Sequence, residues 1–226
     1  MKKIMFKDRY GLTDRVLSGA KTQTRRIIPQ VVIDFPRSGR VEINNIHLEN
    51  QLLMMDLSNV LNEPYICAAP KKYQSRYEEG EEVAIGMSYE DAYAVGDIDI
   101  DDWIDTVEHA NGGIDYCLLA GCDNKMFTKA DLMPARIRIK HFWLQRIQDI
   151  SDADCIAEGV VKTKYRDFPQ EMYLPYIGCK ESEVSWTPQG AFQILIDKVS
   201  GRGTWDRNPW VYAYQFELIK PICLKK

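Results

Sequence analysis

Apolar and polar positions alternate most regularly in two stretches of the chain. Over Arg136-Ile137-Arg138-Ile139-Lys140 the alternation is strict and leads through His141 into Phe142, Trp143 and Leu144. Over Val211 to Ile219 it sets Tyr212, Tyr214 and Phe216 on one side. Strand side chains point alternately to the two faces, so both stretches predict strands, one half-buried and one with an aromatic core face. The period becomes helical after Thr187. That residue is a cap, Pro188 suits the first turn, Phe192, Leu195, Ile196 and Val199 fall on one stripe, and Gly201 ends it.

Shorter elements fill the rest. Residues 12–19 predict a helix with Thr13 as cap, Asp14 at its positive end and Gly19 as a left-handed exit. Tyr77 to Ile85 reads as a Gly80-centred turn entering a buried strand. In 150–160, Ser151 and Asp154 form a capping-box pattern, Ile150 and Cys155 a hydrophobic staple, and Gly159 stops the helix. Trp205 to Trp210 predicts a tight loop ahead of the terminal strand. Residues 29–75 are poorly patterned, with a hairpin expected around Ser38-Gly39 and an amphipathic piece over Leu52 to Leu61.

With 226 residues, 45% hydrophobic and 27% charged, the chain suits one α+β domain, 1–226, carrying insertions at about 30–75 and 90–130. A net charge of −4 argues against a surface coated by nucleic acid, so any such contact is a local patch or pocket. Six cysteines in a chain of this size predict reduced, mostly buried thiols. No apolar leader or long apolar run is present, which predicts a cytoplasmic protein without a membrane partner.

Metal and cofactor signatures are weak. Residues 90–108 hold eight acidic side chains and no basic one, and 97–108 carries carboxylates at calcium-loop spacing. Asp102 stands where such a loop needs glycine, which favours a solvated acidic insertion. Cys117 and Cys122 lack zinc-site spacing, and His141 falls on a polar strand position that suits a surface histidine. No cofactor and no metal are therefore expected.

The stretch least like core is Leu17-Ser18-Gly19-Ala20-Lys21-Thr22-Gln23-Thr24-Arg25-Arg26. It gathers an amine, hydroxyls, an amide and two guanidinium groups, suited to an anionic or carbonyl-bearing ligand. In a regular strand Lys21 and Thr24 face opposite sides, so they share a pocket only at a turn or bulge. Glu158, at the last helical position, stands where a carboxylate is disfavoured by about 0.3–1 kcal/mol. Either it is exposed and tolerated, or a carboxylate is wanted there for acid/base work. Trp205 and Trp210 flank their loop, and one of them can line a base-sized pocket.

These residues resemble the ASCH domain of the PUA-like superfamily, especially its phage and prophage branch. The Leu17–Arg26 stretch is similar to the family signature. Tyr77 to Ile85, Met133-Pro134-Ala135-Arg136 leading to Ala157-Glu158-Gly159-Val160, and Asn208-Pro209-Trp210-Val211 follow in family order, covering about half the chain. Gly86-Met87-Ser88-Tyr89 replaces the Arg-Glu-Thr-Trp-like run of that branch. The resemblance implies a small mixed β-barrel with flanking helices and an RNA or modified-nucleoside ligand in a Lys21/Thr24/Glu158 pocket, with Arg25 and Arg26 beside it. It further implies two alternatives: an amidohydrolase acting on N4-acetylcytidine-like substrates, or a non-catalytic reader of nucleic acid or modified bases. For the enzyme, two arrangements are open. Lys21 activates the Thr24 hydroxyl while Glu158 protonates the leaving amine, or Glu158 activates water while Lys21 stabilises the oxyanion.

Overall fold

The two alternating stretches pair with each other along nearly their whole length, and the other strands assemble around them. The computed structural model describes residues 1–35, 39–96, 98–164 and 170–219. In chain order the strands are β1 (Lys3–Ile4), β2 (Gln23–Ile27), β3 (Val32–Phe35), β4 (Gly39–Glu42), β5 (Ile46–Glu49) and β6 (Leu52–Asp56). They continue as β7 (Ile66–Ala68), β8 (Glu82–Ile85), β9 (Arg136–Arg146), β10 (Val161–Lys164), β11 (Glu171–Leu174) and β12 (Trp210–Ile219). The helices are α1 (Leu12–Leu17), α2 (Ser58–Leu61), α3 (Tyr89–Gly96), α4 (Ile100–Ala110), α5 (Asp152–Ala157), α6 (Pro188–Ser200) and α7 (Thr204–Arg207).

The main sheet has the order β1-β8-β9-β12-β2, with only β1 and β8 parallel. In β9 Lys140 is an extra residue, because Gln215 pairs with His141 and Phe216 with Ile139. That bulge switches the inward parity from Ile137 and Ile139 to Phe142, all three buried. Tyr212, Tyr214 and Phe216 lie in the core as their shared face predicts. The outer strands β1 and β2 do not pair, so no backbone ladder closes a barrel among the described residues. The sheet is nevertheless curled. Arg26 of β2 donates from Nη2 to the carbonyl of Met5, one residue beyond β1, at 2.8 Å.

Helix α6 forms as its stripe predicts, with Thr187 accepting from the Gly190 N–H and Phe192, Leu195 and Ile196 buried. The other caps follow less closely. Gly11, not Thr13, is the N-cap of α1, and the Thr13 hydroxyl donates instead to the Asp8 carboxylate. Ser151 caps α5 through the Asp154 N–H. Asp154 does not complete the expected box, because its carboxylate accepts from Gln23 and Arg25. The loop expected between Trp205 and Trp210 contains the short helix α7, after which Asn208 adopts a left-handed conformation. No helix among the described residues is long and apolar enough to cross a membrane.

The two insertions carry structure of their own. In the first, β3 and β4 pair as an antiparallel hairpin, as expected, residues 36–38 lying outside the described residues, and β5-β6-β7 form a small sheet. The expected amphipathic piece over Leu52 to Leu61 divides into β6 and α2. In the second, Asp99 caps α4 by accepting from the N–H groups of Asp101 and Asp102. The acidic run is thus wound into a helix instead of a calcium loop, anchored by buried Trp103, whose Nε1 donates to the Tyr89 carbonyl. Asp97 lies outside the described residues. His141 is exposed and bonds Glu79, as a surface histidine should. The cysteines differ from expectation, since among the described residues only Cys155 is buried and Cys117 is exposed.

Candidate functional site

Gly19, at φ +75°, turns the chain out of α1, and the next residues are tied to two helix ends before β2 begins. The Lys21 N–H donates to the Arg15 carbonyl at 2.8 Å and the Thr22 N–H to the Ala157 carbonyl at 2.9 Å. Lys21 therefore precedes the strand and escapes its alternation. The required turn is present, and Lys21 and Thr24 line one cavity.

Glu158 is the C-cap of α5, one residue beyond the helix proper, and it is neither exposed nor merely tolerated. Its Oε2 accepts from Lys21 Nζ at 2.6 Å, its Oε1 from Arg25 Nη1 at 3.1 Å, and its backbone carbonyl from Lys21 Nζ at 2.5 Å. The three side chains expose 2%, 6% and 0% of their area for Lys21, Glu158 and Arg25, so solvent screens this pair of bridges very little. Gly159 follows at φ +111°, where a Cβ would meet Leu12 at 3.3 Å and the Lys21 stem at 3.6 Å. A glycine there lets the chain leave the helix and lets Lys21 pass close by.

Arg25 is less available to a ligand than its place in the sequence suggests. Its guanidinium bonds Glu158, Gln23 Oε1 at 3.2 Å and Asp154 Oδ2 at 3.2 Å, and it lies 6.0 Å from the Trp143 ring centroid. It holds Glu158 in place. Arg26 projects differently, with its guanidinium 5.7 Å from the Phe6 ring centroid and no ion pair among the described residues. Thr24 is buried and lines the cavity, and its hydroxyl bonds no other described residue.

The cavity measures about 530 Å³, within the range that holds a nucleoside-sized ligand. Its polar wall is Lys21, Thr24, Arg25, Arg26 and Glu158. Its apolar wall comes from Met5, Phe6 and the α6 residues Phe192, Leu195 and Ile196, and residues 124–126 of the second insertion complete the rim. Burial pushes the Lys21 amine below the ordinary lysine value. Glu158 pulls it back up, and Arg26 and Arg25 push it down again. The outcome is an ammonium that surrenders a proton more readily than a surface lysine. The neighbouring Cys155 is pushed up to about 12 by burial, which makes it an inert thiol.

The structure thus brings Lys21, Thr24, Glu158, Arg25 and Arg26 together, and it leaves the two tryptophans elsewhere. Trp205 packs its ring against Phe192 from α7, and Trp210 covers Arg146 at 4.3 Å beside a different pocket. Trp205 lies within α7 itself, and Trp210 lines a separate cavity of about 450 Å³ that holds none of Lys21, Thr24 and Glu158. Sequence reasoning missed Asp154 as a partner of Arg25, having taken it for a capping residue. It also missed the Met5-Phe6 wall, which follows a two-residue strand that carries little pattern. Comparison of the chain with family models, curated proteins and solved structures found no match.

Proposed function

We propose that this chain is an ASCH-type protein that binds a modified nucleoside, free or within RNA, and hydrolyses an N4-acylcytidine-type amide. The observation that carries the reading is the buried Lys21–Glu158 bridge on the wall of a cavity that also presents an unengaged Thr24 hydroxyl. An apolar replacement of a buried ion pair is often as stable or more so, so a pair kept beside a cavity supports a functional role. The curled five-stranded sheet, whose edges approach at Arg26 and Met5, is the feature of the fold that favours a PUA-like architecture.

In this reading the apolar wall takes the pyrimidine and the acyl carbonyl points at Lys21 and Thr24. Lys21, once it has given up its own proton, accepts the Thr24 proton as the hydroxyl oxygen attacks the acyl carbon. The C–N4 bond then breaks, N4 takes that proton and leaves as the free amine, and water releases the acid from the acyl-threonine. Arg25 and Glu158 hold the amine in place, and the lowered affinity of Lys21 for its proton supports its use as the base.

The test is incubation with N4-acetylcytidine, followed by chromatography. The wild type should release cytidine, and Lys21→Ala and Glu158→Gln should abolish turnover. Thr24→Val should abolish it too if threonine is the nucleophile, and retain it if Glu158 activates water. Turnover that survives both Lys21→Ala and Glu158→Gln sinks the enzyme reading. Binding without turnover in the wild type leaves the pocket as a reader of the modified base.

A further inference from the structure

A second pocket of about 280 Å³ opens beside the first and shares Met5, Arg26 and Ile27 with it. Four cationic side chains line it: Lys3, Arg26, Lys72 and Arg76. No carboxylate lines it, and none of the four makes an ion pair among the described residues. In a chain of net charge −4 such a concentration of unneutralised positive charge is unexpected. Like charges repel, so the cluster costs stability unless something negative offsets it.

The four are held in place by contacts that leave their charge intact. Lys3 Nζ donates to the carbonyls of Lys125 and Thr128 at 2.7 and 2.6 Å. Lys72 lies 4.7 Å from the Tyr73 ring centroid and Arg76 5.7 Å from that of Tyr77. Arg26 uses Nη2 on the Met5 carbonyl, and its buried Nε has no partner among the described residues. Between the cations the pocket presents the rings of Tyr77 and Tyr214, with Ser75 bonding the Tyr214 hydroxyl at 2.8 Å. Guanidinium forks, an ammonium and flat apolar rings are what a sugar phosphate meets in a protein.

We propose that this pocket takes the phosphate of a ligand whose base lies in the Lys21 cavity, with Arg26 spanning both. The proposal rests on the nucleoside reading of that cavity and narrows it: the ligand is a nucleotide or an RNA strand in preference to a free nucleoside. A phosphomonoester and a phosphodiester offer the same oxygens, and the experiment separates them. Binding is measured by titration calorimetry at low salt with N4-acetylcytidine, its 5′-monophosphate, and a short single-stranded oligoribonucleotide carrying one N4-acetylcytidine. Each is measured on the wild type and on Lys72→Ala/Arg76→Ala, two exposed positions whose loss leaves the core intact.

At least one phosphorylated ligand should bind the wild type about tenfold or more tighter than the nucleoside, since charge-assisted contacts are among the strongest. That advantage should shrink to near unity in the double variant and fade with added salt. Tightening by the monophosphate assigns the pocket to a nucleotide, and tightening by the oligonucleotide alone assigns it to RNA. Equal affinity for all three ligands, or an advantage that survives the double variant, overturns the proposal. The two readings fail separately. Hydrolysis that is indifferent to phosphate leaves the enzyme reading standing and removes this pocket. A phosphate advantage with no dependence on the acylated base does the reverse.

Discussion

Replacing Glu158 by leucine should cost more than replacing Lys21 by methionine, and the two together should cost less than their sum. Glu158 neutralises two buried cations, through Lys21 at 2.6 Å and Arg25 at 3.1 Å. In Glu158→Leu, Arg25 keeps Asp154 at 3.2 Å, but Lys21 is left buried beside Arg25 and Arg26 with only backbone oxygen as acceptor. Breaking a buried pair from one side costs about 3–5 kcal/mol. In Lys21→Met the carboxylate keeps Arg25, so the loss should be about 1–3 kcal/mol, the cost of an unsatisfied buried group. In the double variant neither orphan exists, and the remaining Arg25–Asp154 bridge is self-sufficient. The coupling should therefore be favourable by about 2 kcal/mol. Urea unfolding of the four proteins measures this, with unchanged m-values required for the comparison. Losses that add within about 0.5 kcal/mol would refute the argument that the charges hold one another in the fold.

Four further outcomes follow from particular residues. Burial lowers the Lys21 pKa in the folded state, so below 10.5 the unfolded chain binds more protons at that site. Stability should rise with pH through the interval from the lowered value towards 10.5, and unfolding measured against Lys21→Met across that range should show the wild type gaining ground. A wild type that loses ground would show the opposite sign. Ser151→Ala removes the cap on Asp154 and should cost about 1 kcal/mol in denaturant unfolding. Gly159→Ala meets both a φ of +111° and the Lys21 stem, so the thermal unfolding temperature should fall, as should N4-acetylcytidine turnover under the proposed hydrolase reading. Trp103→Ala should cost about 3–5 kcal/mol and loosen the second insertion, read as faster hydrogen exchange in α4.

The strands and helices that bury a regular stripe were legible from residue order alone. Period-two alternation defines β12 and most of β9, period-3.6 spacing with a threonine cap defines α6, and Gly80 announces β8. In these segments a local pattern and the core make the same demand. Patterning was silent where elements are short or mixed, as in β6 and α2, and misleading where a side chain had a better partner outside its own helix. Asp154 left its capping box for Arg25, and Thr13 left the α1 cap for Asp8.

Residue type, position and the family resemblance singled out Lys21, Thr24, Arg25, Arg26 and Glu158 from the sequence, along with Trp205 and Trp210. Only the tertiary structure decided how they are used. Alternation within a strand separates Lys21 from Thr24, and hydrogen bonds from the turn to the ends of α1 and α5 bring them to one cavity. Arg25 became a support for Glu158, Arg26 a bridge between two pockets, and the tryptophans went elsewhere. Glu158 meets Lys21 and Arg25 from 137 and 133 positions away, and no short-range periodicity encodes contacts of that separation.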